Sequence, residues 1–278
     1  MTITLRNKLD FYVEFKEWYL KIVKEFKFSI EKDIEARDYL SRIFAKKFKK
    51  WSLDNVLNSF ASKINSRSII LIYGCGPTLE ESVEFLLDNQ PYFLFNKCIN
   101  LAADGASVLL KEKKIPINGI FSDLDGISQN EFHYADFVCV HAHGDNIEKL
   151  INFKEDILNS KNVIGTTQVE PVHNLINPGG FTDGDRIIFF LRSLLDSYHK
   201  LFLIGMDFNN IIGKYSKPFM NQNMEANPIK KKKLEFAVQL LQWILKKIRN
   251  QFFFVNSKSV CEDFNYVSLE EFKRVMMG

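Results

Sequence analysis

The chain has 278 residues, 46% of them hydrophobic and 26% charged, with a net charge of +3; it is long enough to bury a substantial core as one large domain or two small ones. The charge is too small to imply nucleic-acid binding, although it does not oppose an anionic substrate. No uninterrupted apolar stretch approaches the ~20 residues of a membrane span, and "MTITLRNKLDFYVEF" has neither the apolar region nor the cleavage site of a signal peptide.

Residues 1–65 read as helical. "KLDFYVEFKEWYLKIVKEF" spaces Phe11, Phe15, Tyr19, Ile22 and Val23 at three- and four-residue steps, an amphipathic stripe. "SLDNVLNSFASKI" repeats the pattern after Ser52, a candidate N-cap. With no Gly or Pro and almost no motif, this region is expected to cap the chemical domain that follows over 66–278.

From residue 66 apolar runs recur at 68–73, 98–103, 117–122, 136–142, 200–205 and 252–256. Helical stretches separate most of them, notably 79–88, 105–113, 183–197 and 229–249. Strands alternating with helices predict an α/β fold, a mainly parallel sheet with helices on both faces. Ligands bind such sheets outside the carboxyl ends of the strands. Those ends carry "GCGPT", "ADGA", "SDLDG", "HAHGDN", "GTTQ" and "GMDF". Cys75, Cys98, Cys139 and Cys261 form no CxxC pair; they read as thiols of a reducing cytoplasm rather than disulfides or a zinc site. The 26 Phe read as core filling, and "IKKKK" (229–233) as the solvated face of a helix in preference to an anion-binding patch.

The strand-end clusters bear the chemistry. Asp123 and Asp125 in "IFSDLDGIS" stand one residue apart. At ~5 Å and an effective dielectric of ~20 they repel by ~3 kcal/mol. A bound cation, full solvation or a raised pKa could offset that cost. With Asp104 and Asp145 they make an oxygen-rich set suited to magnesium. His141 and His143 share a strand face, a spacing that permits zinc, but no cysteine or carboxylate lies at a convincing zinc spacing. "YGCGPTLEESVEFLL" runs from strand through glycine turn to helix, and its free N–H groups could hold a phosphate or be ordinary capping. In "NPGGFTDGDR", Thr182 and Asp185 resemble a capping box. Asp183 and Asp185 would repel phosphate there, so a carboxylate suits the N3–H and 2-amino donors of a pterin. "GMDFNNIIGKYS" adds Asp207, then Lys214 and Ser216, a cation and a hydroxyl suited to phosphates.

"GCGPTL", "AADGA", "SDLDG", "HAHGDN", "GTTQ", "GGFTDGDR" and "GMDF…IGKYS", in that order over about residues 70–216, resemble the archaeal 6-hydroxymethyl-7,8-dihydropterin pyrophosphokinase family, MptE-like. "ADGA" and "DLDG" also resemble the thiamine pyrophosphokinase catalytic domain. The resemblance implies a cytoplasmic diphosphokinase that moves a diphosphate from Mg-ATP to the hydroxymethyl group of a dihydropterin and releases AMP, on the way to a tetrahydromethanopterin-type carrier. Magnesium would then lie among Asp104, Asp123, Asp125 and Asp145. ATP would contact Gly74, Gly76, Thr78, Thr166, Gln168, Lys214 and Ser216, with Arg186 as a further cation. The substrate would meet Gly180, Asp183, Asp185 and Asp207. His141, His143 or an aspartate would serve as base. A homodimer is allowed, and neither nucleic acid nor membrane is an expected partner. A DxD glycosyltransferase, related to flagellin-glycosylation accessory proteins, a thiamine pyrophosphokinase-like enzyme and a non-catalytic nucleotide-binding module remain as alternatives.

Overall fold

The computed structural model describes residues 4–277. It opens with helices α1 (Leu5–Leu9), α2 (Tyr12–Phe26), α3 (Ile30–Phe44) and α4 (Leu53–Ile64). On α2 the stripe is buried as Phe15, Tyr19 and Ile22. Ser29 caps α3 by accepting the Lys32 N–H. Ser52 stands at the N-cap position of α4, but its side chain makes no capping bond, contrary to expectation.

Strand and helix then alternate. β1 (Ile69–Tyr73) leads to α5 (Leu79–Asn89) and α6 (Pro91–Asn96), and β2 (Cys98–Ala103) to α7 (Ala106–Glu112). β3 (Gly119–Ser122) precedes α8 (Gln129–Tyr134); β4 (Val138–Ala142) precedes α9 (Ile147–Asn152) and α10 (Lys154–Asn159). β5 (Val163–Thr167) and α11 (Asp183–Leu191) follow, then β6 (Lys200–Ile204) and a small antiparallel pair, β7 (Ile211–Ile212) with β8 (Met224–Glu225). α12 (Pro228–Leu245), β9 (Gln251–Val255), β10 (Asn265–Val267) and α13 (Leu269–Met277) complete the described chain. α11 stops six residues short of the expected 197; just beyond it the Leu194 N–H tightens the chain into a three-residue turn onto the Leu191 carbonyl, at 2.7 Å.

The eight-stranded sheet has the order β10-β9-β6-β1-β2-β3-β4-β5, and every pair in it is parallel. Side chains alternate across the pleat. Ile70 and Ile72 of β1 join a core with α2, α4, α11 and α12. Ile69, Leu71 and Tyr73 join the opposite core with α3, α5, α7 and α13. α3 and α4 both pack on β5, from the two faces, so the N-terminal helices cover that sheet edge. Among the described residues no helix is long and apolar enough to cross a membrane, and all four cysteines are free.

Candidate active site

Strand order reverses at β1, which lies between β6 and β2, the crevice where open α/β sheets take ligands. A cavity of about 590 Å³ opens there, bordered by residues from the carboxyl ends of β1 to β6. The glycine turn after β1 is stitched to the end of β6: the Gly74 N–H donates to Ile204 O at 2.8 Å and the Gly76 N–H to Gly205 O at 2.7 Å. A Cβ on Gly76 would lie 2.4 Å from Asp207 Oδ2 and 2.6 Å from Gly205 O, so only glycine permits this approach. Asp207 Oδ2 accepts the backbone N–H of Thr78 at 2.9 Å and its hydroxyl at 2.7 Å. Thr78 is thereby turned onto Asp207 and does not border the cavity, whereas Gly74, Gly76 and Asp207 do.

The acids gather one strand further along. Asp104 leaves β2 with φ +47, its Oδ1 accepting the Ser122 hydroxyl at 2.6 Å and the Gly126 N–H at 3.2 Å. Burial, then the charges of Asp123 and Asp125, push its carboxyl up to about 7. Burial alone would raise Asp123 too, but a hydrogen bond from His143 Nε2 at 3.1 Å and the nearby Lys217 charge hold it below the usual carboxylate range. Asp125 is paired with Lys217. The repulsion foreseen between Asp123 and Asp125 is therefore met by a cation, Lys217, while the raised pKa falls on the neighbouring Asp104. One oxygen each from Asp104, Asp123 and Asp125 lies within 4.8 Å of the others. Hard carboxylate donors, half open to the cavity, fit a divalent cation that keeps positions for water or phosphate. Asp145 is exposed and stands outside this group; its N–H donates to His143 Nδ1 at 3.3 Å.

The histidines differ from expectation. His141 is buried, and its Nδ1 accepts from Arg186 Nη1 at 3.1 Å. Arginine only donates, so the neutral ring carries its proton on Nε2. Burial, then the Arg186 charge, hold its pKa well below the ordinary histidine value. Thr166 lies beneath the same nitrogen, Oγ1 to Nδ1 3.0 Å, outside the main cavity. With His143 Nδ1 accepting from Asp145 and Nε2 donating to Asp123, neither ring offers a free basic nitrogen. Arg186 Nη2 donates to Gln168 Oε1 at 3.3 Å and to Phe181 O at 3.0 Å; Gln168 borders the cavity.

In the turn before α11, Gly179 and Gly180 have φ of +86 and +90, and Gly180 does not border the cavity. Asp185 accepts the Phe181 N–H at 2.6 Å, the Thr182 N–H at 3.0 Å and the Thr182 hydroxyl at 2.8 Å. It is a capping acid and is not available to a substrate. Asp183 borders the cavity, and its carboxylate has no hydrogen-bond partner among the described residues. Burial, then Asp123 and Asp104, raise its pKa well above the ordinary value.

Lys214 is drawn away to Glu80, Nζ to Oε2 2.7 Å, outside the cavity; the cation beside the acids is Lys217. Ser216 borders the cavity and donates to Cys75 O at 3.2 Å. Lys230 and Lys233 also border it, so "IKKKK" is not simply a solvated face. Phe28, Lys32 and Asp33 reach the same cavity from the N-terminal helices. Nothing in the sequence pointed to these three, whereas four successive lysines at a helix start were a visible signal read the other way.

A family model described as 6-hydroxymethylpterin diphosphokinase MptE-like matches residues 43–213. The chain is 36% identical over 237 residues to a 6-hydroxymethyl-7,8-dihydropterin pyrophosphokinase of Pyrococcus furiosus, covering 83% of this chain and 93% of that protein. It is 35% identical over 260 residues to the protein of the same name from Methanocaldococcus jannaschii, covering 86% and 99%. Among solved structures, the MAf glycosyltransferase of Magnetospirillum magneticum AMB-1 aligns with a TM-score of 0.42 at 15% identity, over 73% of this chain; the match spans about a third, 34%, of that glycosyltransferase.

Proposed function

The chain belongs to the MptE-like 6-hydroxymethylpterin diphosphokinase family, and from that membership we propose that it is a 6-hydroxymethyl-7,8-dihydropterin pyrophosphokinase that takes its diphosphate from ATP and releases AMP. The observation that carries the reading is the juxtaposition of Asp104, Asp123, Asp125 and Lys217 on one wall of a cavity of about 590 Å³. That volume is within the range of small-molecule sites, and the reaction is mainly one of positioning and charge neutralisation.

Asp104, Asp123 and Asp125 would hold magnesium, which when bound supplies charge neutralisation on the donor's phosphates. His143 fixes the orientation of the Asp123 carboxylate, as an outer partner orients a ligand. Lys217, beside Asp125, presents an ammonium to the same phosphates. Gly74 and Gly76 let the backbone come close to the donor, since neither carries a side chain to keep it away. Asp183, a half-buried carboxylate without a partner, suits the paired N3–H and 2-amino donors of the pterin ring, and Phe181, two residues before it on the cavity wall, offers an apolar face. Attack at the β-phosphorus requires the pterin hydroxymethyl oxygen in line at ~3–3.5 Å. With the Nδ1 of each histidine already accepting a hydrogen bond and each Nε2 carrying the ring proton, its proton passes to a carboxylate or to solvent.

Phosphorus NMR of one reaction mixture tests the assignment. AMP and a pterin diphosphate are expected in equal amounts, only with magnesium and the pterin alcohol both present. ADP as the main product would mean attack at the γ-phosphorus and would overturn it.

A further inference from the structure

Four consecutive lysines, Lys230 to Lys233, lie in the first turns of α12, and the helix sorts them. Lys231 pairs with Glu225 and Lys232 with Glu25. Lys230 and Lys233 are three residues apart and so share a helix face; they border the cavity. Neither has an ion-pair partner among the described residues, unlike Lys214 and Lys217. The Lys233 ammonium lies 5.5 Å from the centre of the Phe28 ring and 5.8 Å from that of Phe181. Burial, then the charge of Lys230, lower its pKa below the ordinary lysine value, while Asp123 acts in the opposite sense.

Partly burying an ammonium without a counter-ion is costly, and a second one beside it adds repulsion. Such a pair makes physical sense if a multiply charged anion completes it. The two aromatic faces attract the Lys233 cation without neutralising it, so no protein carboxylate competes for it when a ligand arrives. Asp123 of the acid cluster sits within electrostatic reach of Lys233, and an anion that carries a divalent cation satisfies lysines and acids at once.

We propose that Lys230 and Lys233 bind the polyphosphate chain of the donor, at phosphate oxygens that the acid cluster does not serve. The identity of the donor as ATP rests on the function proposed above; the polyphosphate chemistry of the site does not. Phe28 thereby gives the N-terminal helices a place in donor binding, through the cation it holds.

Inorganic tripolyphosphate, titrated calorimetrically into the full chain without metal, tests this. Lys230→Met and Lys233→Met should each weaken binding by about tenfold or more, the loss of one charge-assisted contact, and should blunt its salt dependence. The Lys231→Met/Lys232→Met double variant removes two charges, one more than either single variant, and should still bind as the wild type does. Lys233→Arg, which keeps charge and stem, should retain most of the affinity and guards against a folding defect in Lys233→Met. Equal losses in the outward and inward variants, or wild-type affinity in Lys233→Met, would overturn the site. Lysine-dependent tripolyphosphate binding in a protein that forms no AMP would support this site and count against the reaction assigned to it.

Discussion

The Asp33 carboxylate accepts the backbone N–H of Gly144 at 2.7 Å, a bond from the N-terminal helices to the loop that carries His143. Its other oxygen accepts the Tyr19 hydroxyl, also at 2.7 Å. The approach is close: a Cβ on Gly144 would lie 2.6 Å from Lys32 Cβ. Asn146 holds the loop from the other side, donating to Asp123 O at 2.8 Å and His141 O at 2.7 Å. Asp33→Asn leaves one of these buried donors facing an amide, and should cost about 1–3 kcal/mol in urea unfolding. Tyr19→Phe, which removes one hydroxyl, should cost less. Turnover should fall in Asp33→Asn while the fold survives. Full activity and unchanged stability would show the contact to be idle.

Asp123→Asn or Asp125→Asn should lower turnover by several orders of magnitude, and Mn²⁺ titrated by electron paramagnetic resonance should bind far more weakly. The two should differ in stability without metal. Asp123→Asn relieves repulsion on Asp104 but leaves one acceptor oxygen for two donors, His143 Nε2 and the Asp125 N–H. Asp125→Asn strands Lys217, a half-exposed pair worth about 0–1 kcal/mol. Near-normal turnover in both variants would refute the metal assignment.

Asp183 and Asp185, two residues apart, should separate cleanly. Asp185→Asn keeps one acceptor oxygen where three donors converge on two and should destabilise the protein by about 1–2 kcal/mol, as loss of a cap does. Asp183→Asn removes a half-buried carboxyl crowded by other acids and should leave stability unchanged or raised while weakening pterin binding. A loss confined to ATP affinity in Asp183→Asn would sink its assignment to the pterin.

Lys47 predicts a pH dependence far from the cavity. Its ammonium donates to Ile157 O and Ser160 O, and burial lowers its pKa to about 8 from 10.5. Between those values the unfolded chain binds more protons than the folded one, so this group's contribution to stability rises with pH. The stability difference between wild type and Lys47→Met should therefore grow in favour of wild type from pH 8 to about 10.5, read by urea unfolding. A difference that shrinks over that window contradicts the burial effect.

The sheet was legible because its strands are apolar runs ending in Gly and Asp; the run at 98–103 and the acids at 104, 123 and 125 fell where parallel topology put them. β5 was anticipated only through its end, "GTTQ", since Val163–Thr167 contains a glycine and two threonines. The choice between Lys214 and Lys217 depends on which way a side chain leaves a short turn, and sequence spacing does not encode that. The capping box at Thr182 was readable and explains Asp185; no local pattern distinguishes Asp183. Asp33 lies 111 residues from Gly144, a contact made by tertiary packing alone.

Phe15 and Tyr19 of α2 share a core with Phe236 and Leu240 of α12, and that has a consequence for the nascent chain. A ribosome exposes the amphipathic N-terminal helices first, and at ~5–20 residues per second the strands and helices that cover them follow on the order of ten seconds or more later. Throughout that interval their apolar stripes face solvent. The growing polypeptide should recruit holding chaperones soon after α2 emerges and release them only after α12 does, so a translation pause within "IKKKK" would lengthen its exposure to aggregation.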